Sequence, residues 1–273
     1  MSGRDRTNND VVDSTIRSIA ASAKYRDLAT ETIERVVRRR SEPSVSGLAK
    51  RARRELHHVL AAYHLDRLPA AAIDDVIGAV DRRASDETIR ASCAAVLIHH
   101  ATSRERFPIL ADGYYERMFS VTDTPSSVLD LASALHPFEL RWMNLPTGTS
   151  YTACDNNRRF VDAADRYLRA EGAGRALHGD ILVAPPGEPV DLAFLLMTYH
   201  CLDEQQRGAG WQAIVKAPAS WVAVSLPVAG LGNRSKPKFA ALATDLEARL
   251  DEAGQHYRVQ EWQTERLYLI AKS

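Results

Sequence analysis

The chain has 273 residues, 35 basic side chains against 35 acidic ones, and 45% apolar residues. That composition excludes disordered, collagen-like and coiled-coil classes and leaves room for two domains of ordinary size. No run approaches the roughly 20 apolar residues that span a bilayer, and the opening MSGRDRTNND lacks the apolar stretch of a secretory leader, so a cytoplasmic location without membrane contact is expected.

Up to about residue 120 the apolar residues recur at helical spacing, as in Val11, Ile16 and Ile19, then Ile33, Val36 and Val37, then Leu56, Val59 and Leu60. Residues 1–120 are therefore expected to form an all-helical amino-terminal domain. Helix boundaries are expected at Glu42-Pro43, Leu68-Pro69, the Ser85-Asp86 N-cap and Phe107-Pro108. A basic run from Arg35 to Arg54 includes Arg38, Arg39, Arg40, Lys50, Arg51 and Arg53 against Glu42 alone. Such a run is either a solvated helix face or a phosphate-contacting patch, and the first is the commoner.

After residues 122–126 (TDTPS) the period changes, and residues 121–273 read as an α/β domain. Strands are expected at 127–132, 150–155, 175–178, 192–197, 219–226, 257–262 and 266–270. Helical patterns lie near 157–170, 203–214 and 237–253. Strands alternating with helices imply a mainly parallel sheet covered on both faces, closed here by an antiparallel hairpin.

In such a sheet ligands bind outside the carboxyl ends of the strands. The first strand carries Asp130, the second ends in Asp155, and Asp180 follows the third. Asp130 and Asp155 are about 25 residues apart, close to the roughly 20 of a nucleoside-binding βαβ unit whose acid accepts from ribose hydroxyls. Each acid alone is more often a helix N-cap. Three at successive strand ends point to a nucleoside site. Tyr199 and His200 follow the fourth strand, where substrate-facing residues are common, and His136 is placed for acid–base work. Cys93, Cys154 and Cys201 are scattered without paired spacing, and the histidines lack ligand company, so no metal site is expected.

Several segments carry a resemblance. They are Lys24–Arg26 (KYR), Arg54–His57 (RELH) with Ala62 and Tyr63, Thr102–Pro108 (TSRERFP), Ser127–Ala132 (SVLDLA), Trp142 and Met143 with Leu145 and Pro146, and Cys201 and Leu202 with Gln205–Gly208 (QQRG). Leu231 and Gly232 with Arg234–Lys236 (RSK), and Leu267–Ile270 (LYLI), complete the set. In this order they resemble the aminoglycoside-resistance methyltransferases, which use S-adenosylmethionine to methylate a guanine N7 of 16S ribosomal RNA. The resemblance implies a Rossmann-like methyltransferase domain behind a helical RNA-recognition domain. It also implies Asp155 on the cofactor ribose, Asp180 near the adenine and Arg106 on the methionine carboxylate, with Ala132 in the cofactor loop.

The departures from that family's pattern fall in the site. Where the family has an Ala-Cys-Gly-Leu-Asn-Pro loop, residues 132–137 read ASALHP, so Ala134 replaces a glycine and His136 an asparagine. Met197 stands where the family has a lysine, and residues 226–232 (LPVAGLG) lose another cation. With two cations gone and zero net charge, the favoured expectation is a transferase acting on a small molecule in antibiotic or secondary metabolism, moving a methyl or a 3-amino-3-carboxypropyl group. The alternatives are the 16S rRNA guanine-N7 reaction on the 30S subunit and a non-catalytic binding relative. His136 and Tyr199 are the catalytic candidates. Met197, Phe138, Tyr199 and Trp142 would wall the sulfonium, and Phe138, His200, Arg234 and Lys236 would meet the acceptor. The oligomeric state is left open.

Overall fold

The computed structural model describes residues 3–39, 45–61, 68–228 and 236–272. Seven helices come first: α1 (Gly3–Ala20), α2 (Thr30–Arg38), α3 (Val45–Ala61), α4 (Ala70–Asp81), α5 (Asp86–Leu97), α6 (Ala101–Leu110) and α7 (Tyr114–Thr122). Five of them form two groups. The first packs Ile16, Ile19, Ile33, Val37, Leu48 and Leu56 of α1–α3 around Tyr25 and Leu28, burying one apolar stripe from each helix. The second, α4 and α5, packs Val76, Cys93 and Val96 against Phe160 and Tyr167 of the sheet half. Pro69 precedes α4 as expected, and the Ser85 hydroxyl caps α5 by accepting from the Thr88 amide. Pro108 does not break its helix. It sits in the last turn of α6, where the missing N–H costs one bond and the helix ends two residues later. The expected boundary at Glu42-Pro43 lies outside the described residues.

A seven-stranded sheet follows: β1 (Ser127–Leu131), β2 (Ser150–Asp155), β3 (Gly174–His178), β4 (Val190–Leu196), β5 (Ala219–Pro227), β6 (Tyr257–Glu261) and β7 (Glu265–Ala271). Its order is β3-β2-β1-β4-β5-β7-β6, with β1–β5 parallel and β7 antiparallel to both neighbours. Residues alternate between the faces with period two. Val128, Phe194, Ala223 and Leu269 meet Tyr114, Met118 and Phe119 of α7 on one face. Leu129, Leu195, Val224 and Tyr268 meet the other face's helices, α10 (Tyr199–Gln205), α11 (Ala209–Lys216) and α12 (Lys236–Glu252). The single helix expected over 203–214 is two, because Gln206 is extended and Gly208 takes φ +79°. Between β1 and β2 lie a 3-10 turn (His136–Glu139) and the one-turn α8 (Leu140–Met143), and α9 (Arg158–Ala170) joins β2 to β3.

Chain order reverses between β1 and β4, and their carboxyl ends open a crevice there. Tyr199 does not reach it. Its ring is fully buried in the core under α10, and its hydroxyl has no hydrogen-bond partner among the described residues. Tyr199→Phe should therefore leave stability within about 1 kcal/mol of the parent, whereas Tyr199→Ala should cost about 3–5 kcal/mol. Denaturant unfolding of both variants checks this, and loss of transferase activity in Tyr199→Phe with stability intact would return the residue to the site.

Candidate active site

The crevice holds a cavity of about 410 Å³. Asp130, Asp155 and Asp180 all stand in its wall, each almost completely buried. Asp155 closes β2, where its Oδ2 accepts from the Ala134 amide at 2.9 Å and its Oδ1 from the Asn157 amide at 2.8 Å. Burial pushes its carboxyl up to about 6, against those two backbone bonds that favour the anion. The loop after β1 reaches Asp155 only by bending sharply. Ala132 and Ala134 take φ of +54° and +44°, a region L-residues avoid, so the backbone position where the resemblance places a glycine is strained in this chain. Met197, at the end of β4, is strained likewise with φ +55°. Its amide is held by both the carbonyl and the hydroxyl oxygens of Ser225.

Behind the cavity runs a chain of buried polar groups. The Tyr151 hydroxyl donates to Asp130 Oδ2 at 2.7 Å, and His136 Nδ1 meets the same oxygen at 2.8 Å. Tyr115 places its hydroxyl 2.7 Å from His136 Nε2 and 2.5 Å from Glu139 Oε2. Arg106 then bridges Glu139, at 3.4 Å, to Glu265, which it grips through Nε at 2.9 Å and Nη2 at 3.1 Å. Burial disfavours the Arg106 charge, but Glu265 and Glu139 more than offset this and raise its pKa further. Burial pushes the Tyr114, Tyr115 and Tyr151 hydroxyls upward, so they remain neutral donors.

This geometry revises several expected roles. Both ring nitrogens of His136 are engaged by protein groups, which fits a positioning residue better than an acid–base catalyst. The two-pronged grip expected of Arg106 on a methionine carboxylate is taken by Glu265. Arg106 still lines the cavity, with Nη1 held among the described residues by the longer contact to Glu139. Phe138 is stacked on Tyr167 at 4.8 Å in the core, and His200 packs edge-on against Phe239. Neither lines the cavity, and Trp142 packs against Phe107 instead. The apolar wall comes from Val36, Phe160, Ile181, Leu196 and Met197. Burial lowers His200 to about 4, so it stays neutral. Arg234 lies outside the described residues, and Lys236 opens α12. Sequence reasoning passed over Arg35, Glu55, Ser103 and Gln205 in the wall. Glu55, Ser103 and Gln205 lie in segments that carry the resemblance, which left them without a role, and Arg35 was visible only as one end of the basic run.

Residues 21–270 match the profile of the family described as "Ribosomal RNA methyltransferase (FmrO)". The chain is 32% identical over 269 residues to a 16S rRNA (guanine(1405)-N(7))-methyltransferase of Micromonospora echinospora, covering 96% of this chain and 97% of that one. A Micromonospora rosea enzyme of the same name is also 32% identical, over 97% and 98%. This chain belongs to the ribosomal RNA methyltransferase (FmrO) family. Among solved structures, the 16S rRNA methyltransferase RmtF in complex with S-adenosyl-L-homocysteine superposes with TM-score 0.76 at 25% identity over the whole of both chains. The 16S rRNA methylase RmtB gives 0.73 at 25%, over 96% of this chain and 98% of that one. The α/β half is thus a Rossmann-like methyltransferase fold, and S-adenosylmethionine is the family's cofactor.

The residues present fit that cofactor. Carboxylates of Glu55, Asp130, Asp155, Asp180 and Glu204 outnumber the guanidiniums of Arg35 and Arg106 in the wall, which suits a sulfonium cation. Asp155 keeps lone pairs for ribose hydroxyls at the strand end where nucleosides bind. If Asp155 accepts those hydroxyls as the anion, affinity for S-adenosylhomocysteine should be level above about pH 7 and weaken as the pH falls through about 6. Asp155→Asn should bind weakly and show no such inflection, as titration calorimetry from pH 5 to 8 would reveal. Folding runs the other way: with its pKa raised above the usual carboxylate value, Asp155 adds stability at low pH that is lost as pH rises through about 6.

Proposed function

We propose that this ribosomal RNA methyltransferase transfers a methyl group from S-adenosylmethionine to a guanine N7 of 16S rRNA in the 30S subunit, and so confers aminoglycoside resistance. The reading is carried by similarity that runs nearly the full length of the two Micromonospora relatives, both named for the guanine-N7 reaction, through the helical half as well as the cofactor half. The helical half has a surface for such a substrate. Lys24, Arg26, Lys50, Arg51, Arg53 and Arg54 are exposed. Lys50, Arg53, Arg54 and His57 follow the i, i+3, i+4, i+7 spacing of one helix face, and Lys24 Nζ lies 3.1 Å from His57 Nδ1. Exposed lysines and arginines gathered this way contact phosphates and give strongly salt-dependent binding. Neutral net charge therefore conceals a basic face. Nothing in the comparisons supports the small-molecule acceptor or aminocarboxypropyl transfer.

S-adenosylmethionine, when bound, supplies an electrophilic methyl on a positive sulfur. Guanine N7 carries its own lone pair, so no side chain must remove a proton before the attack. The protein's work is to hold two partners in line and keep water out. Asp155 and the loop of Ala132 and Ala134 fix one partner. Leu196, Met197 and Phe160 supply apolar wall, and Met197 lacks the charge that a lysine would bring beside a cation. The buried chain from Asp130 to Glu265 keeps that loop from moving. Arg234 and Lys236 are offered as further phosphate contacts.

Incubation with labelled S-adenosylmethionine should mark 16S rRNA in 30S subunits at one guanine N7, identified by nuclease digestion and mass spectrometry. Reversing charge at Arg51, Arg53 and Arg54 together should reduce 30S methylation at least tenfold while leaving S-adenosylhomocysteine affinity unchanged. Label in a small metabolite but not in 30S subunits would revive the small-molecule reading.

A further inference from the structure

The cofactor cavity is not built by the sheet half alone. Segment 27–29, ahead of α2, is hydrogen-bonded to the loop that follows Asp155: Leu28 bridges Asn157, the Ala29 amide donates to the Asn156 carbonyl at 2.8 Å, and the Arg158 amide donates to the Asp27 carbonyl at 2.7 Å. In the first turn of α2, Glu31 Oε1 accepts from the Asp180 amide at 3.2 Å. A turn later Arg35 reaches Asp180 Oδ2 with Nε and Nη2, both at 2.9 Å, and Gln205 Oε1 with Nη2 at 2.8 Å. The helical half therefore grips the loops after β2 and β3 together with the end of α10. These are the loops that present Asp155 and Asp180 to the cavity.

Arg35 is itself part of the cavity wall, with 9% of its side chain exposed. Its Nη1 is buried and has no hydrogen-bond partner among the described residues. A guanidinium has five donor hydrogens in a fixed plane, and buried donors are seldom left unsatisfied. Asp180 has little to spare for that nitrogen, since Oδ2 is taken by Nε and Nη2 and Oδ1 accepts from the Leu182 amide. An adenine has acceptor nitrogens at ring positions 1, 3 and 7, and Asp180 lies at the strand end beside which such a base would lie.

We infer that Arg35, from the amino-terminal helical half, is a cofactor-binding residue that donates through Nη1 to a ring nitrogen of the adenine, so that cofactor occupancy fixes α2 against the sheet. The inference rests on S-adenosylmethionine occupying this cavity and not on which acceptor is methylated. It assigns Arg35 to the adenosine site rather than to a solvated face or the phosphate-contacting patch. By linkage, whatever orders α2 and segment 27–29 strengthens cofactor binding, and cofactor binding orders them in turn. Helix α3, which carries the basic face, packs in the same helical group as α2, so RNA recognition and cofactor loading share that group.

The test uses the full chain and binding, not turnover. S-adenosylhomocysteine and its 1-deaza, 3-deaza and 7-deaza analogues, each lacking one ring acceptor, are titrated calorimetrically into the parent, Arg35→Ala and Arg35→Lys. Hydrogen exchange of residues 30–38 is followed with and without ligand. One analogue should bind the parent about tenfold more weakly than S-adenosylhomocysteine, and Arg35→Ala should erase that difference, the signature of a direct contact. Arg35→Ala should itself bind S-adenosylhomocysteine about tenfold more weakly, Arg35→Lys should fail to restore it because the fork is lost, and ligand should slow exchange in α2 of the parent. Equal binding of all analogues by the parent overturns the direct contact, a comparison that does not depend on either variant folding. Arg35→Ala binding within twofold of the parent also overturns the inference, as does unchanged exchange in α2. Failure of the parent to bind S-adenosylhomocysteine overturns the cofactor reading as well, which separates the two failures.

Discussion

Arg106 is a guanidinium buried to 2% exposure, and the geometry of the site depends on how its charge is met. Removing such a group from water costs several kcal/mol unless partners surround it. Glu265 meets it through two nitrogens, Glu139 approaches the third, and the Tyr114 hydroxyl donates to Glu265 at 2.7 Å. These four residues come from α6, the turn after β1, β7 and α7. One buried charge thereby ties two helices of the amino-terminal half to both an inner strand end and the antiparallel part of the sheet. A neutral replacement would leave the glutamates facing each other in the dark interior, so the network holds together or fails together.

From that anchor the polar chain continues through Tyr115 and His136 to Asp130, which stands in the cavity wall. The cavity inherits its shape from groups that cannot move independently. Such rigidity suits the proposed reaction, because methyl transfer to a nitrogen that already has a lone pair asks for alignment and dryness more than for acids and bases. A strained loop at Ala132 and Ala134 is compatible with this, since the hydrogen bond that the Ala134 amide donates to Asp155 and the packed 3-10 turn hold it in place. The histidine that replaces an asparagine in the family's loop has joined the buried chain as a spacer between Asp130 and Tyr115. This departure changes how the site is supported and leaves Asp130, Asp155 and Asp180 in the cavity wall.

Much of the fold was legible because each half obeys one period. Val11, Ile16 and Ile19 recur every three to five residues, whereas β4 alternates Leu192, Phe194 and Leu196 on one face with Ala193 and Leu195 on the other. Asp155 and Asp180 were legible because strand ends are where such sheets bind ligands. Tyr199, Phe138 and His200 were misplaced because strand-end position and residue type do not say which way a side chain points. All three turn into packed surroundings, while Met197 and Thr198, which precede Tyr199 and His200, line the cavity. Pro108 was misread because a proline in the last turn of a helix costs little. The cavity-facing role of Arg35 was hidden for a different reason: it depends on a partner 145 residues away, and only the folded chain brings α2 to the end of β3. The small-molecule acceptor, expected from two missing cations and a net charge of zero, finds no support in the comparisons, and net charge cannot register a basic face balanced by acids elsewhere.

The central claim is that the cavity at the carboxyl ends of β1, β2 and β3 is the cofactor site. A crystal structure of the protein with S-adenosylhomocysteine tests it most directly. The expected result is ligand density in this cavity, with ribose hydroxyls within hydrogen-bonding distance of the Asp155 carboxylate and the base toward Asp180. Ligand bound elsewhere on the chain, or lying in the cavity with its ribose away from Asp155, would contradict it.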